Sequence, residues 1–573
     1  MIANVLAATA VAACLAGGPA AARETLTGSY LAARHAHNLN DVEAAARYFS
    51  AALRRDRDNP RLMEHAALNL IAAGRIDAAE PIAARLVDAD PANRIGNLSL
   101  AVAEIAAGDF ARARGRLADR GDGFYPLLGR LIEAWAAFGE GDLAGAEATL
   151  ASLDDRTVFR LFSGYHLGLV RSAAGDHAGA VEAFETALGA VGAPPPRLAA
   201  AYGIALERAG RPTDAARAFD DGPTPFGDPL LAAERARLQA GNPPAVLVET
   251  AAEGAAEALH GFAGVFGGES GRRLALAYAR LALHLRPDLD VATLLVGELL
   301  RADGQHASAL AAFNAVPEDS KHASRARIAA AGELLDLGRA AEAIEGLEAL
   351  IAAEPEAPQP RIALGDLLRR EQAWEPCIDA YAAAIDLLDG LGIENWALFY
   401  QRGICHERAG VWDPAEADFR RALALEPDQP LVLNYLGYSL VELRRNLDEA
   451  KAMIKRAVEL RPDDGYITDS LGWVLYRLGD YEGAVEWLEK AVALAPVDPV
   501  INDHLGDALW MVGRRVEAEF QWRRARSFDP EPDDLARIKR KLDVGLDVVL
   551  LEEAKGVGST VAAPADAPAP NDG

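Results

Sequence analysis

Two neighbouring histidines, a glycine-rich stretch and one serine are the first candidates for a metal site, a phosphate site or a nucleophile in this chain. His35 and His37 are separated by a single residue, which on a helix points them to different faces, so we expect no shared metal ion. The glycines from Gly261 to Gly268 could cradle a phosphate, but no Gly-Lys-Ser/Thr follows them and no predicted strand precedes them. An inter-helix loop is the preferred interpretation. Ser270 is not in a nucleophile elbow, because the glycine after it comes one position early. We therefore predict no catalytic, cofactor-binding or metal-binding residue.

The three cysteines are Cys14, Cys377 and Cys405, too few for a disulfide framework or a metal site. Cys377 occupies a small-residue position of the repeat described below, so core packing explains it. Cys405 lies in the following repeat, and a contact between the two is conceivable. The segment ending at Cys14, VAAC, resembles a bacterial lipoprotein processing site, which makes Cys14 a candidate for lipidation.

The segment 1–22 is apolar and rich in small side chains, and three alanines precede Arg23. This pattern predicts a secretory signal peptide over residues 1–22, although no basic residue precedes the apolar run. The alternatives are an apolar first helix and a wrongly assigned start codon. No later stretch has the uninterrupted run of roughly 18 or more apolar residues that a membrane-spanning helix needs.

The charge balance is acidic, with 85 Asp and Glu against 58 Lys and Arg and a formal net charge of −27. Binding to nucleic acid requires basic surface that displaces counterions from phosphates, so we predict no nucleic-acid partner. Anionic membrane surfaces are disfavoured for the same reason. A polar, neutral or basic protein surface is the better electrostatic match. The basic residues from Arg514 to Lys541 are interleaved with acidic ones, which predicts a solvated, salt-bridged helix face; docking of an acidic partner is the alternative.

A small residue, usually alanine, recurs at a regular interval from Ala45 to Ala518. It indicates the helices on which any binding site would lie. Its spacing is nearly constant, except for longer steps from Ala215 to Ala275 and from Cys377 to Ala415. A generic helical chain would show the short helical period but would not keep this longer register. The positions are Ala45, Ala79, Ala113, Ala146, Ala180, Ala215, Ala275, Ala309, Ala343, Cys377, Ala415, Ala450, Ala484 and Ala518.

One repeat shows the physical reason for each position. Gly472 in a first helix and Ala484 in a second helix are small enough for a close helix crossing. Leu488 fills the space beside that crossing, Ala491 meets the next repeat, and Pro496 ends the second helix. The same pattern recurs in the next repeat at Gly506, Ala518, Trp522, Ala525 and Pro530. With these residues, the chain resembles the tetratricopeptide repeat family.

The resemblance implies an all-α solenoid of helical hairpins, wound as a right-handed superhelix of about 14–15 repeats. The longer step before Ala275 contains glycine- and proline-rich stretches and predicts a divergent segment. The predicted organisation is a signal peptide (1–22), an N-terminal array (23–222), the divergent segment (223–255), a C-terminal array (256–532), a capping helix (533–556) and a disordered tail (557–573).

Tetratricopeptide arrays present first-helix side chains along a concave groove, which implies a peptide-binding surface in the best-matching repeats. Asn434 to Pro496 resembles long bacterial tetratricopeptide proteins of the cell envelope, some of which are lipoprotein adaptors for proteases. We therefore expect a non-enzymatic adaptor, periplasmic or outer-membrane-associated, whose partner is a protein or peptide such as an envelope protease or assembly factor. The alternative is a cytoplasmic regulatory or complex-assembly protein with an uncleaved N-terminus. The predicted groove residues are Tyr400, Asn434, Tyr438, Tyr466, Asp469, Trp473, Tyr476, Asp503, Asp507 and Trp510.

Overall fold

Helices are the regular secondary structure of the described part of the chain, and no strand occurs there. The computed structural model describes residues 25–117, 126–153, 157–220, 228–268 and 271–556. The predicted signal peptide, Cys14 and the predicted tail lie outside these residues. In the described part, no helix is long and apolar enough to cross a membrane.

The chain divides into two compact units, and the boundary at residues 346/347 falls inside one helix. The helices of unit 1 are α1 Leu26–Asn38, α2 Val42–Arg55, α3 Pro60–Ala72, α4 Ile76–Ala89, α5 Arg94–Ala106, α6 Phe110–Leu117, α7 Pro126–Gly139, α8 Leu143–Ala151, α9 Thr157–Ala173, α10 His177–Leu188, α11 Pro196–Arg208, α12 Pro212–Asp220, α13 Pro229–Gln239, α14 Ala251–Val265, α15 Arg272–Leu285, α16 Asp290–Ala302, α17 His306–Asn314, α18 Ala323–Asp336 and the first half of α19 Ala340–Ala353. Those of unit 2 are α20 Gln359–Arg370, α21 Trp374–Gly390, α22 Trp396–Arg408, α23 Trp412–Leu425, α24 Pro430–Glu442, α25 Leu447–Leu460, α26 Gly465–Arg477, α27 Tyr481–Leu494, α28 Pro499–Met511, α29 Arg515–Ser527, α30 Pro532–Val544 and α31 Leu546–Gly556.

Consecutive helices pack against each other as hairpins, and short turns reverse the chain between them. The turn between α26 and α27 shows the local cause. Gly479 has φ +82°, a left-handed conformation that glycine adopts without steric cost. The carboxylate of Asp480 then accepts a hydrogen bond from the backbone N–H of Gly483 at 3.1 Å and caps α27. Sequence and backbone therefore agree on where each of these helices ends.

The recurring small residue marks the centre of the hairpins, as predicted. All fourteen positions of the register have no solvent exposure. A methyl carbon placed on Gly472 would lie 2.6 Å from Leu488, and one on Gly506 would lie 2.4 Å from Trp522. These approaches are shorter than van der Waals contact, so only glycine fits at the crossing. The prediction of an all-α array of helical hairpins is confirmed.

Two segments differ from a regular repeat. Within the predicted divergent segment, α13 stands without a paired second helix, and a stretch without helix leads to α14. Thr250 and Glu253 form a capping box at the start of α14. The expected single capping helix over 533–556 is interrupted, because Gly545 has φ +84° and separates α30 from α31. The domain boundaries proposed from the sequence stay a prediction.

Candidate partner-binding surfaces

The ten predicted groove residues all lie on the first helices of hairpins in unit 2, namely α22, α24, α26 and α28. Exposure differs strongly among them. Tyr466 is 39% exposed and Asn434 and Trp510 are half-buried, whereas the other seven are buried: Tyr400, Tyr438, Asp469, Trp473, Tyr476, Asp503 and Asp507. Much of this aromatic surface therefore packs between neighbouring helices. The assignment of these residues to a peptide-binding groove stays a prediction.

Trp473 is the centre of an aromatic stack. Its ring lies 4.7 Å from the ring of Tyr476 and 4.0 Å from that of His504, nearly parallel to both. The indole N–H donates a hydrogen bond to the carboxylate of Glu442 at 3.1 Å. His504 in turn contacts Asp469 through Nδ1 at 2.9 Å. Burial alone would lower the pKa of His504, but the carboxylate of Asp469 outweighs burial, so the pKa is raised.

Two of the predicted groove carboxylates bind a helix of the chain itself. The ammonium of Lys541, on α30, is fully buried and lies 2.6 Å from Asp503 and 2.7 Å from Asp507. Asp507 also accepts a hydrogen bond from the indole of Trp522 at 2.9 Å and one from Arg537 at 3.1 Å. Burial alone would raise the pKa of Asp507, but the positive charges of Lys541 and Arg537 outweigh burial and hold the pKa below its usual range. These carboxylates therefore anchor α30.

Trp510 also packs against the last helices of unit 2. Its ring packs 5.3 Å from the ring of Trp522, and the guanidinium of Arg515 lies 4.7 Å above it. A methyl carbon on Gly545 would lie 2.7 Å from the Trp510 ring, so the break between α30 and α31 also fits against this side chain. Trp510 thus contributes to packing of the terminal helices.

A small pocket remains open beside the aromatic stack, and we call it the Trp473 pocket. Its volume is about 160 Å³. Aromatic and proline surfaces combine in it with carboxylates. The lining residues are Tyr438, Glu442, Trp473, Pro499, Val500, Asp503, His504, Pro530, Asp534, Arg537 and Ile538.

The first helices of unit 1 are partly covered by the chain itself. The hairpin of α14 and α15 packs against the first helices α3, α5, α7 and α9. A methyl carbon on Gly254, in α14, would lie 2.1 Å from the indole of Trp135, in α7. The rings of Phe162 and Phe262 lie 5.1 Å apart. The side chains of the two sets of helices interdigitate as they do in a protein core. We call α14 and α15 the inner hairpin.

A buried ion pair fixes the inner hairpin to the array. Arg197 donates two hydrogen bonds to the carboxylate of Glu257, at 2.6 and 2.5 Å. The hydroxyl of Tyr165 donates a third at 2.9 Å. Burial alone would raise the pKa of Glu257, but the charge and hydrogen bonds of Arg197 outweigh it and lower the pKa to about 2. No pattern in the sequence indicates this pairing, because Arg197 and Glu257 belong to different repeats.

Comparison with known proteins agrees with the register and the hairpins. Five segments match the family model described as tetratricopeptide repeat: residues 30–93, 65–128, 165–228, 400–464 and 436–499. The chain is a tetratricopeptide-repeat protein. The matches lie in both units.

Several solved structures are similar to this tetratricopeptide-repeat protein. The APC/C hetero-tetramer Cut9–Hcn1 is 16% identical, with a TM-score of 0.37, and the match covers 84% of this chain and 95% of that chain. Yeast Tom70 is 14% identical, with a TM-score of 0.31, covering 93% and 99%. A tetratricopeptide repeat protein from Parabacteroides merdae ATCC 43184 is 17% identical, with a TM-score of 0.34, covering 42% and 94%. Similarity at this level identifies no partner or process for this chain.

A disulfide joins two adjacent tetratricopeptide repeats in unit 2. Cys377 on α21 and Cys405 on α22 are bonded, with their Cα atoms 6.2 Å apart. Cys377 has no solvent exposure and sits at the small-residue position, so its packing role is confirmed. The bond adds a covalent link that the packing argument did not predict.

Part of the glycine-rich stretch is helical. Gly261 and Gly264 lie inside α14, so the predicted inter-helix loop is wrong for these two glycines, which are helical. Ser270 lies outside the described residues. One combination that the sequence did not reveal is His306, Glu333 and Asp336, whose ligand atoms lie within 4.8 Å of one another. The Nδ1 atom of His306 lies 2.9 Å from the carboxylate of Glu333, so the two groups already contact each other.

Proposed function

We propose that this protein is a non-enzymatic scaffold that binds a partner protein or peptide at the Trp473 pocket. The general role is that of tetratricopeptide repeats, which stack helix pairs to present binding surfaces to other proteins. The observation that carries the specific proposal is the contrast within the predicted groove. Asp503, Asp507 and Trp510 are engaged by the terminal helices, whereas Trp473 borders a pocket that reaches solvent.

The chemistry of the pocket favours a segment with a basic or mixed basic and apolar side chain. Glu442 and Asp534 contribute carboxylates to the lining, of which Glu442 already pairs with Arg477 at 2.7 Å, and Trp473 and Tyr438 contribute aromatic surface. Arg537 also lines the pocket, but Asp507 and Glu553 already neutralise its charge. The net charge of −27 attracts basic partners over longer distances.

Blocking the pocket tests the proposal. Val500 lines the pocket and is partly exposed, so Val500→Arg places a long cation in it. Val411→Arg is the matched control, because Val411 is 47% exposed in the turn before α23. Tagged wild type and both variants are used to capture partners from cell extract, and captured proteins are quantified by mass spectrometry. We expect Val500→Arg to lose, by tenfold or more, partners that wild type and Val411→Arg retain.

The opposite result would remove the site assignment. If Val500→Arg retains the same partners at the same levels, the Trp473 pocket is not where they bind. Circular dichroism and thermal unfolding of each variant establish that the comparison is between folded proteins.

We further propose that the scaffold works in the bacterial cell envelope. Disulfides persist mainly in oxidising compartments, and the bond between Cys377 and Cys405 supports such a setting. The apolar N-terminal segment 1–22 supports it independently. N-terminal sequencing and thiol labelling of the protein from cells distinguish this from the cytoplasmic alternative. A start near Arg23 or a lipidated Cys14 supports the envelope, whereas an intact N-terminus with both thiols free supports the cytoplasm.

A further inference from the structure

A cavity of about 500 Å³ lies in unit 1, bordered by α9, the start of α11, α13, α14 and the start of α18. It is distinct from the Trp473 pocket and takes no part in the scaffold function proposed above. Most of its wall is apolar, formed by residues such as Phe162, Leu198, Leu230, Val265 and Val291. This volume lies in the range of small-molecule sites, and apolar walls with a few polar groups are their usual composition.

Two histidine rings in the wall have unused hydrogen-bonding capacity. The Nδ1 atoms of His260 and His322 are buried and have no hydrogen-bond partner among the described residues. Burial lowers the pKa of His260 to about 4, so its ring is neutral at pH 7 and retains one N–H donor. Buried polar atoms are normally paired, because leaving them unpaired costs free energy. A ligand with a polar head would supply the missing partner.

The polar groups of the cavity favour an anionic head. His322 is the N-terminal flanking residue of α18, and its side chain makes no capping hydrogen bond there. Arg325, in the first turn of α18, also lines the cavity. The N-terminus of a helix carries partial positive charge and exposed N–H groups, so this corner combines two sources of attraction for an anion. The pair of Arg325 with Glu298 is more than half exposed on the arginine side and is therefore weak.

The two carboxylates in the wall, Glu257 and Asp228, are both engaged by groups of the protein. Glu257 is neutralised by Arg197, which donates two hydrogen bonds to it. Asp228 accepts hydrogen bonds from the backbone N–H groups of Leu230 and Leu231, and so caps α13. Arg197 thus compensates the charge of Glu257, whereas Asp228 keeps its charge near His322, held by two backbone N–H donors.

We infer that this cavity binds a small carboxylic acid with an apolar chain or ring. The carboxylate lies at the N-terminus of α18, where Arg325 and His322 bind it. The apolar part lies between Phe162 on α9 and Val265 on α14. The arrangement gives selectivity by charge at one end and by shape and size at the other.

Titration of the full-length protein with octanoate, 1-octanol and octylamine tests the head group, since the three share one apolar chain. We expect saturable octanoate binding by calorimetry, at least tenfold tighter than binding of the alcohol or the amine. Arg325→Ala should weaken octanoate binding about tenfold, through loss of a charge-assisted hydrogen bond. Arg327→Ala is the matched control on the same helix, because Arg327 is 43% exposed and does not line the cavity.

Filling the cavity tests its position. Gly264 lines the cavity, and a methyl carbon added there meets no atom within 4 Å, so Gly264→Leu occupies the space without a clash at the backbone. Gly346→Leu is the matched control on α19, where an added methyl carbon also meets nothing within 4 Å. Octanoate binding should be lost in the first variant and kept in the second. Thermal unfolding checks that both are folded.

Three results would overturn the inference. If octanoate does not bind saturably to the wild type, a small apolar carboxylic acid is not the ligand. If octanoate, octanol and octylamine bind with equal affinity, the cavity does not recognise the carboxylate head group. Undiminished octanoate binding by Gly264→Leu would place the ligand elsewhere.

Discussion

Replacing Arg197 by methionine tests whether the buried ion pair holds the inner hairpin on the array of unit 1. The side chain of Glu257 is 2% exposed and receives two hydrogen bonds from Arg197 and one from Tyr165. Methionine keeps much of the aliphatic volume of the arginine but removes its charge and donors. The carboxylate would then be buried beside a single hydroxyl donor.

The magnitude follows from the pKa of Glu257. That pKa falls from an ordinary value of 4.5 to about 2 in the folded protein. Each unit of difference corresponds to about 1.4 kcal/mol, so the native environment favours the charged carboxylate by about 3 kcal/mol. Removing one partner of a buried ion pair typically costs about 3–5 kcal/mol. We therefore expect Arg197→Met to lower the free energy of unfolding of unit 1 by about 3–5 kcal/mol at pH 7.

The pH dependence gives a sharper expectation than the loss at a single pH. In the wild type the depressed pKa stabilises the fold above pH 4.5, and this contribution is lost as the pH falls from 4.5 to about 2. In the variant, burial without Arg197 raises the pKa of Glu257, so the penalty for the buried charge disappears as the pH falls and the carboxyl takes up a proton. The difference between the two proteins should thus be largest near neutral pH and shrink on acidification.

Urea unfolding followed by circular dichroism, at several pH values between 7 and 4, measures this difference. Hydrogen exchange with mass spectrometry of residues 251–265 reports on α14 directly. Arg217→Met is the matched control, because Arg217 is 72% exposed in a surface pair with Asp214. A destabilisation no larger than that of the control, or one that stays constant from pH 7 to 4, would show that the Arg197–Glu257 pair does not hold the inner hairpin in place.

Four other positions are tested by separate substitutions. Gly203→Ala should destabilise unit 1 by about 1–3 kcal/mol in urea unfolding, because the new methyl carbon would lie 2.3 Å from a phenylalanine ring. Gly346→Ala meets nothing within 4 Å and should instead stabilise by about 0.5–1 kcal/mol. Lys541→Met removes the buried cation that lies between two carboxylates and leaves Arg537 to compensate them, so it should cost unit 2 about 3–5 kcal/mol, seen as faster hydrogen exchange of α30. Cys405→Ser opens the loop that the disulfide closes and should cost about 3.5 kcal/mol, a difference that disappears when reductant is added to the wild type.

The sequence predicts the hairpins because their contacts are local. Gly472, Ala484 and Leu488 meet within one repeat, so a fixed spacing along the chain corresponds to a fixed place in space. The same residue types recur at a constant interval because each repeat has the same crossing. Register, burial and turn chemistry could therefore be derived without coordinates.

Contacts between distant repeats follow no such spacing. Nothing in the sequence distinguishes Glu257 from other helical glutamates, and its partner Arg197 lies in a different repeat. Lys541 is one of several basic residues that the sequence assigns to a solvated helix face, yet it is fully buried between two carboxylates. In both cases the charges pair outside the register, where the repeat pattern carries no information.

Aromatic residues on first helices therefore belong to the packing between helices as well as to binding surfaces. The ring of Tyr400 lies 5.8 Å from that of Tyr435 and 6.0 Å from that of Phe419, and all three side chains are buried. What separates a binding surface from a core in such an array is whether another helix of the chain reaches it. In unit 1 the inner hairpin contacts the first helices, and the cavity beside it is of a size for a small molecule. In unit 2 Lys541 of α30 binds Asp503 and Asp507, and the pocket beside Trp473 stays open. The same fold thus leaves two sites of different size and charge, and we propose a different ligand for each.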